Sequence, residues 1–244
     1  MGITGLLRSD FLLLCPCVTS SLLYLLHWIP QENEPSPLGI FLKCLPIVFL
    51  CLYVLIQIHH YGFSRYSLAI LLGLLFSGVG DACLVYAKDY FIFGLASFAV
   101  AHLLYIVAFH ERPMWWTFMF FFLPYYIVMW QYLIPGVSAK KLFYPGMVYG
   151  VLILTMLWRA MARITISNKM SWTRLYAFFG AALFLVSDTV LSVNLFAVPV
   201  PNAQYIIMTT YYLAQLLIAV SVVKELGQTE KLDNSLPSDK LKSL

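Results

Sequence analysis

The chain has 244 residues, of which 61% are hydrophobic and only 11% are charged, and its mean hydropathy is +0.84. A soluble domain would carry about 25% charged residues, so this composition excludes an ordinary water-soluble enzyme and indicates a polytopic membrane protein. The net charge of +4 is too small to indicate a nucleic-acid partner.

The apolar residues are grouped in runs long enough to cross a bilayer, since a spanning helix needs about 20 mostly apolar residues. Proline and glycine mark several of the breaks between runs, among them Pro135-Gly136 after the fifth. The pattern predicts an all-α bundle of eight transmembrane helices, at 11–29, 38–58, 66–87, 90–110, 114–134, 143–162, 173–197 and 204–224. Residues 1–224 are therefore expected to form one eight-helix transmembrane domain, followed by a polar, disordered tail at 225–244.

Basic residues give the predicted topology. Eight spans put both termini on one side, which collects 11 of the 15 basic residues, against 4 on the other side. By the positive-inside rule, both termini and the tail are cytosolic. The tail ends KLKSL, and Lys240 and Lys242 resemble the dilysine signal of endoplasmic-reticulum membrane proteins. The predicted location is therefore the endoplasmic-reticulum membrane.

Two aspartates, Asp81 and Asp188, lie inside apolar runs. A carboxylate in a membrane helix costs at least ~2.5–3.5 kcal/mol, so it is rare and usually functional. Each follows a small residue in a small-Asp-x-x-Leu pattern, four helices apart, and each precedes a tyrosine by 24 residues (Tyr105 and Tyr212). This likeness predicts a weak 4+4 parallel repeat, whose pseudo-twofold axis would bring the two aspartates to one interface.

Other polar residues fall at similar depths in the predicted helices. Those expected in the luminal layer with the aspartates are Lys43, Asn194, Tyr211 and Tyr212, and those nearer mid-membrane are His102, Gln215 and Tyr105. Each also has a simpler interpretation. Intramembrane Tyr, Asn and Gln commonly hydrogen-bond one helix to another, a buried histidine commonly serves packing, and a lysine near a helix end can extend to the headgroups.

Paired carboxyl groups in such a setting suit acid–base chemistry. Burial and a like-charged neighbour both disfavour the second charge, so one group keeps its proton while the other stays ionised. Such a pair can act as general acid and base without a metal or another cofactor. The five cysteines show no metal-ligand spacing and are interpreted as free thiols, and no metal or cofactor is predicted.

Several motifs in order resemble the YhhN family, with the closest likeness to its vertebrate members, the lysoplasmalogenases. The segments that carry the resemblance are KCLPIVFLCL at 43–52, GDACLVY at 80–86, AHLLYIVAF at 101–109, LWRAMA at 157–162, SDTVL at 187–191 and IMTTYYLAQLLIAV at 207–220. The resemblance covers about residues 20 to 224 and includes both aspartates.

The resemblance implies hydrolysis of the vinyl ether bond of lysoplasmalogens to a fatty aldehyde and glycerophosphocholine or glycerophosphoethanolamine. Vinyl ethers are cleaved by proton transfer to carbon, followed by capture of an oxocarbenium ion by water. Asp81 and Asp188 are the predicted catalytic pair, much as two carboxylates serve in glycoside hydrolysis. Tyr211 or Tyr212 is expected to hydrogen-bond the acid or the water, and Lys43 to meet the substrate phosphate.

Two other functions stay open from the sequence. GVGD at 78–81 matches the GxGD motif of intramembrane aspartyl proteases, although Ser187-Asp188 stands where those enzymes have Tyr-Asp. A lipid binder or proton-coupled transporter would instead use the aspartates as a relay. The residues also leave open which aspartate is the acid, the headgroup preference, the leaflet of substrate entry and the oligomeric state.

Overall fold

The structure is a computed structural model that describes residues 3–31, 34–110, 116–139, 141–165 and 172–223. Within these ranges the chain forms eight α-helices and no β-strand, which confirms the predicted all-α class. The helices are α1 (Ile3–Leu23), α2 (Pro37–Tyr61), α3 (Arg65–Val85), α4 (Ala87–Ala108), α5 (Trp116–Ala139), α6 (Phe143–Thr165), α7 (Trp172–Phe196) and α8 (Ala203–Val220). A π-helical turn (Tyr24–Trp28) and a 3₁₀ turn (Ile29–Gln31) continue α1.

Most of these helices match a membrane-spanning element in length and composition. In the described part of the chain, six are long and apolar enough to cross a bilayer: α2, α3, α4, α6, α7 and α8. The prediction of a polytopic helical membrane protein is thereby confirmed. The predicted tail at 225–244 and its two lysines lie outside the described residues, so the tail stays a prediction.

The predicted end of the fifth helix at Pro135-Gly136 is wrong. Helix α5 continues through both residues to Ala139 and also contains Pro124. Proline is tolerated inside apolar helices because neighbouring helices and local adjustments satisfy the freed backbone groups. Gly136 allows a close approach, since a Cβ there would lie 1.8 Å from the carbonyl oxygen of Phe196 at the end of α7.

The two halves of the chain pack in the same order. Helices α1–α2, α2–α3, α3–α4 and α4–α6 are in contact, and so are their counterparts α5–α6, α6–α7, α7–α8 and α8–α2. Gly73 and Gly180 each stand eight residues before an aspartate. A Cβ at Gly73 would lie 2.2 Å from the ring of Tyr105 in α4, and one at Gly180 would lie 2.7 Å from Ile218 in α8. These helices therefore pack in the same order in both halves, with one small residue in each half bringing two helices close together, and the 4+4 repeat itself stays a prediction.

Candidate active site

Both aspartates line one cavity of about 330 Å³ between helices of the two halves. Of the other residues predicted for the site, Lys43, Asn194 and Tyr211 also line it. The rest of the wall is mainly apolar and aromatic, and includes Phe91, Leu95, Phe98, Met129, Leu133 and Leu154. Among the described residues, no group of three or more His, Cys, Asp or Glu side chains could hold a metal ion.

Asp81 lies on α3, and partners on two other helices engage both of its carboxylate oxygens. Its side chain is 2% exposed, with Oδ1 3.5 Å from Nζ of the buried Lys43 on α2. Its Oδ2 accepts a hydrogen bond of 2.5 Å from the hydroxyl of Tyr211 on α8. A buried carboxylate is tolerated only with such partners, so the Lys43 ammonium balances its charge.

The backbone around Lys43 is itself tied to the neighbouring helices. The hydroxyl of Tyr212 donates to the carbonyl oxygen of Lys43 at 2.9 Å, and the thiol of Cys44 donates to the carbonyl oxygen of Gly78 at 3.4 Å. Tyr212 is buried and does not line the main cavity. The structure therefore places Tyr212 as a support for the lysine, with its hydroxyl bonded away from the aspartates.

Asp188 has a different environment. Its side chain is 13% exposed, and its Oδ2 accepts a 2.5 Å hydrogen bond from the hydroxyl of Tyr149 on α6. His102 Nε2 on α4 lies 2.9 Å from the Tyr149 oxygen and 3.6 Å from Oδ2. Since the Tyr149 hydroxyl donates to the Asp188 carboxylate, the Tyr149 oxygen can accept a hydrogen bond from Nε2–H of His102. The three side chains then form a hydrogen-bond chain that runs from His102 through Tyr149 to Asp188. No hydrogen bond from the described residues reaches Oδ1 of Asp188.

Aromatic side chains connect the two carboxylate networks. The His102 ring packs edge-on against Phe184 with centroids 4.8 Å apart, and Phe184 packs edge-on against Tyr211 at 5.4 Å. Phe98 contacts both Phe184 and Tyr211. Each ring packs edge-on against a neighbour. These contacts connect the residues around Asp81 to the residues around Asp188 on the wall of the same cavity.

The remaining predicted residues have structural partners. The hydroxyl of Tyr105 donates to Oε1 of Gln215 at 2.8 Å, and both side chains are fully buried and absent from the cavity wall. They join α4 to α8, as the simpler interpretation of intramembrane polar residues expects. Asn194 lines the cavity, but its Oδ1 accepts from the backbone N–H of Val200 at 2.9 Å and so fixes the link between α7 and α8.

Sequence reasoning missed Tyr149, which bonds Asp188 directly, and the pair Tyr125 and Thr189, whose hydroxyls lie 2.5 Å apart on the cavity wall. The spacing of the two halves could have pointed to Tyr149. The two aspartates are 107 positions apart, and the same offset takes Tyr149 back to position 42, beside Lys43. Each half thus supplies a polar partner for its aspartate from its second helix.

An apolar helical bundle with two carboxylates on one internal cavity, one of them buried and one partly exposed, defines an integral membrane protein with an internal acidic site. Residues 38–222 match the YhhN family, and the chain belongs to that family, as the sequence motifs predict.

Its relatives include Lysoplasmalogenase TMEM86A of Bos taurus, 36% identical over 222 residues, which are 89% of this chain and 91% of the relative. Lysoplasmalogenase TMEM86A of Homo sapiens is also 36% identical over 222 residues, with the same coverage. Lysoplasmalogenase TMEM86B of Sus scrofa is 39% identical over 213 residues, which are 86% of this chain and 85% of the relative. No solved structure matches the chain significantly.

Proposed function

We propose that this protein is an ether hydrolase that cleaves the vinyl ether bond of lysoplasmalogen, releasing a fatty aldehyde and glycerophosphocholine or glycerophosphoethanolamine. The names of its relatives support the substrate. The observation that carries the chemistry is that two carboxyl groups with different partners, Asp81 and Asp188, line a single cavity with a mainly apolar wall. The single alkenyl chain of a lysoplasmalogen can pack against this apolar wall, and its polar end can contact the charged residues.

The different partners of the two aspartates suggest different roles. Asp81 has a cation against one oxygen and a hydroxyl donor on the other, and both contacts favour its ionised form. Asp188 has hydroxyl and imidazole partners on Oδ2 only, and its greater exposure is toward the cavity it lines. We therefore assign Asp188 as the acid and Asp81 as the anion and base.

The proposed reaction uses only the two aspartates and water. Asp188 gives its proton to the β-carbon of the vinyl ether, and the resulting oxocarbenium ion is stabilised by the carboxylates. Water adds to the cationic carbon and passes a proton to Asp81. The product of this addition is a hemiacetal. When the carbon–oxygen bond to glycerol breaks, Asp81 returns that proton to the leaving oxygen and the hemiacetal hydroxyl gives its proton to Asp188. Both carboxyl groups end as they began.

The proposed function predicts selective cleavage by the purified full-length protein. Alkenyl lysolipids should release aldehyde, while matched lysolipids with a saturated ether or an ester should not, because only the vinyl ether accepts a proton at carbon. In D₂O the fresh aldehyde should carry one deuterium on the carbon next to the carbonyl, detected by mass spectrometry. Absence of aldehyde, or equal cleavage of the ester, would contradict the proposal.

The same preparation separates the competing functions. Cleavage of membrane-spanning peptides in place of lysolipid would support the GxGD-type protease. Substrate-driven proton movement in proteoliposomes, without aldehyde release, would support the transporter. The endoplasmic-reticulum location and the cytosolic termini stay predictions, which organelle imaging and protease protection of a tagged tail would test.

Tyr149→Phe should slow the reaction by roughly 10- to 100-fold at unchanged stability. A hydrogen bond to a charged group contributes about 1.5–3 kcal/mol, more than one to a neutral group, so the existing Tyr149 bond strengthens when Asp188 becomes a carboxylate. The effect should fall on kcat more than on KM. Tyr126→Phe is the matched control, since Tyr126 also lines the cavity but its hydroxyl donates only to the backbone of Met147 at 3.3 Å. Equal rates for the two variants would remove Tyr149 from the mechanism.

A further inference from the structure

A second, smaller cavity of about 120 Å³ adjoins the first. It shares Lys43, Leu84 and Gln204 with the main cavity. The residues found only in its own wall are Tyr24, Trp28, Glu34, Pro35 and Val85. Lys43 therefore stands between an apolar cavity that contains both aspartates and a small compartment with a carboxylate and two aromatic rings.

The aromatic wall of this compartment comes from an unusual backbone segment. Tyr24 and Trp28 are the first and last residues of the π-helical turn that follows α1. Single π-helical turns are uncommon and are frequently found at functional sites. Both rings line the small cavity together with Leu84 and Val85 at the end of α3 and Gln204 at the start of α8.

Contacts on the outer side fix both rings. Gly39 in the first turn of α2 leaves room for the indole, because a Cβ there would lie 2.9 Å from Cζ2 of Trp28. Tyr24 is buried and packs edge-on against Tyr212, with centroids 6.0 Å apart. Tyr212 in turn holds the carbonyl oxygen of Lys43. A continuous set of contacts thus joins the wall of the compartment to the backbone of Lys43.

We propose that this compartment binds the ammonium end of the substrate headgroup, with the phosphate at Lys43. The inference rests on the proposed function and adds a recognition site to it. An ammonium group is attracted by the face of an indole or phenol ring and by a carboxylate, which Trp28, Tyr24 and Glu34 supply. The Lys43 ammonium has three donors and only one carboxylate partner, Asp81, so it can also bind a phosphate oxygen.

This placement orients the whole substrate. The headgroup amine lies beyond Lys43, the phosphate lies at Lys43, and the glycerol passes into the main cavity beside Asp81. The vinyl ether then lies between Asp81 and Asp188, and the alkenyl chain follows the apolar wall. Zwitterionic lysolipids have a partner for both Lys43 and the small compartment, whereas a lysolipid with a bare phosphate leaves the carboxylate and rings of that compartment without one.

The test compares alkenyl lysolipids that carry phosphocholine, phosphoethanolamine or phosphate alone. With either amine-bearing substrate, KM should rise about tenfold for Trp28→Leu, in line with a partly desolvated cation–π contact. For Glu34→Gln it should rise about two- to fivefold, since Glu34 is exposed and an exposed ion pair is weak. Their kcat should stay unchanged, and KM for the phosphate-only substrate should not rise. Asp89→Asn, an exposed acid of α4 outside both cavity walls, should behave as wild type.

A glycine pair gives an independent check that leaves Trp28 in place. Gly39→Ala should displace the indole and reproduce the KM rise of Trp28→Leu. Gly78→Ala is the matched control, since its Cβ would meet only Ile47 at an ordinary 3.6 Å. An equal KM rise for all three substrates in the Trp28 and Glu34 variants would overturn the proposal, because it would mean that these residues serve the fold alone.

Binding separates failure of the subsite from failure of the proposed function. Acyl lysophosphatidylcholine and lysophosphatidic acid lack the vinyl ether, and their affinities can be measured by calorimetry in detergent. If the variants lose affinity for the first ligand only and wild type cleaves no vinyl ether, the subsite stands and the hydrolase proposal fails. If wild type cleaves lysoplasmalogen, and the variants lose affinity for both ligands equally or for neither, the hydrolase proposal stands and the subsite proposal fails.

Discussion

Asp188→Asn is expected to lower kcat for aldehyde release by about 10²–10⁴-fold, the usual contribution of a positioned proton donor. Asparagine is similar in size and can still accept from Tyr149, so the packing around α7 should be retained. It cannot give a proton to carbon, and it does not leave an anion to stabilise the oxocarbenium ion. The loss should therefore appear in kcat, with a small change in KM and in the melting temperature.

The measurement is aldehyde release by purified protein, with thermal unfolding of the same sample. Asp89→Asn, whose side chain is exposed, serves as the matched substitution and should retain full activity. Near-full activity of Asp188→Asn would exclude Asp188 as the acid. A complete loss accompanied by a large drop in melting temperature would instead assign it a structural role.

Lys43→Met is expected to be the most destabilising substitution at the site. It leaves the Asp81 carboxylate buried without its cation, and breaking one side of a buried ion pair costs about 3–5 kcal/mol. Asp81→Asn should also destabilise, since it leaves the buried ammonium without a carboxylate. The double variant Lys43→Met/Asp81→Asn has neither charge, so its melting temperature should recover toward that of wild type.

Activity should not recover with stability. The double variant lacks the anion and base assigned to Asp81, so aldehyde release should stay at the level of Asp81→Asn. Thermal unfolding and activity of all four proteins form a double-mutant cycle. Lys88→Met, at an exposed lysine outside both cavity walls, is the control for loss of one positive charge. Additive losses of stability would show that Lys43 and Asp81 are not coupled.

The helices were the most predictable part of the molecule. A run of apolar residues long enough to span a bilayer has few stable alternatives to a helix, because every backbone group must be bonded within the segment. Pro135-Gly136 shows where this reasoning fails. The pair is typical of a turn in water, but here α5 continues, and the glycine provides the close approach to the end of α7.

The candidate site was predictable in its carboxylates and less so in their partners. Asp81 and Asp188 stood out because charge is costly among apolar residues. Tyr149 did not, since one tyrosine among 16 carries no such cost and its partner is 39 residues away. Gln215 and Tyr105 were placed near the site by depth, but depth does not give the direction of a side chain, and they bond each other away from the cavity wall.

The sequence by itself determined the class of protein, the number and order of its helices and the two carboxylates that stand inside apolar runs. These follow from local composition, because the bilayer imposes the same demand on every segment. Only the tertiary structure decided which side chains meet: Lys43 and Tyr211 at Asp81, and Tyr149 and His102 at Asp188. Those pairings join four different pairs of helices, and the rotation of each helix about its axis is set by close packing at contacts such as Gly73 with Tyr105.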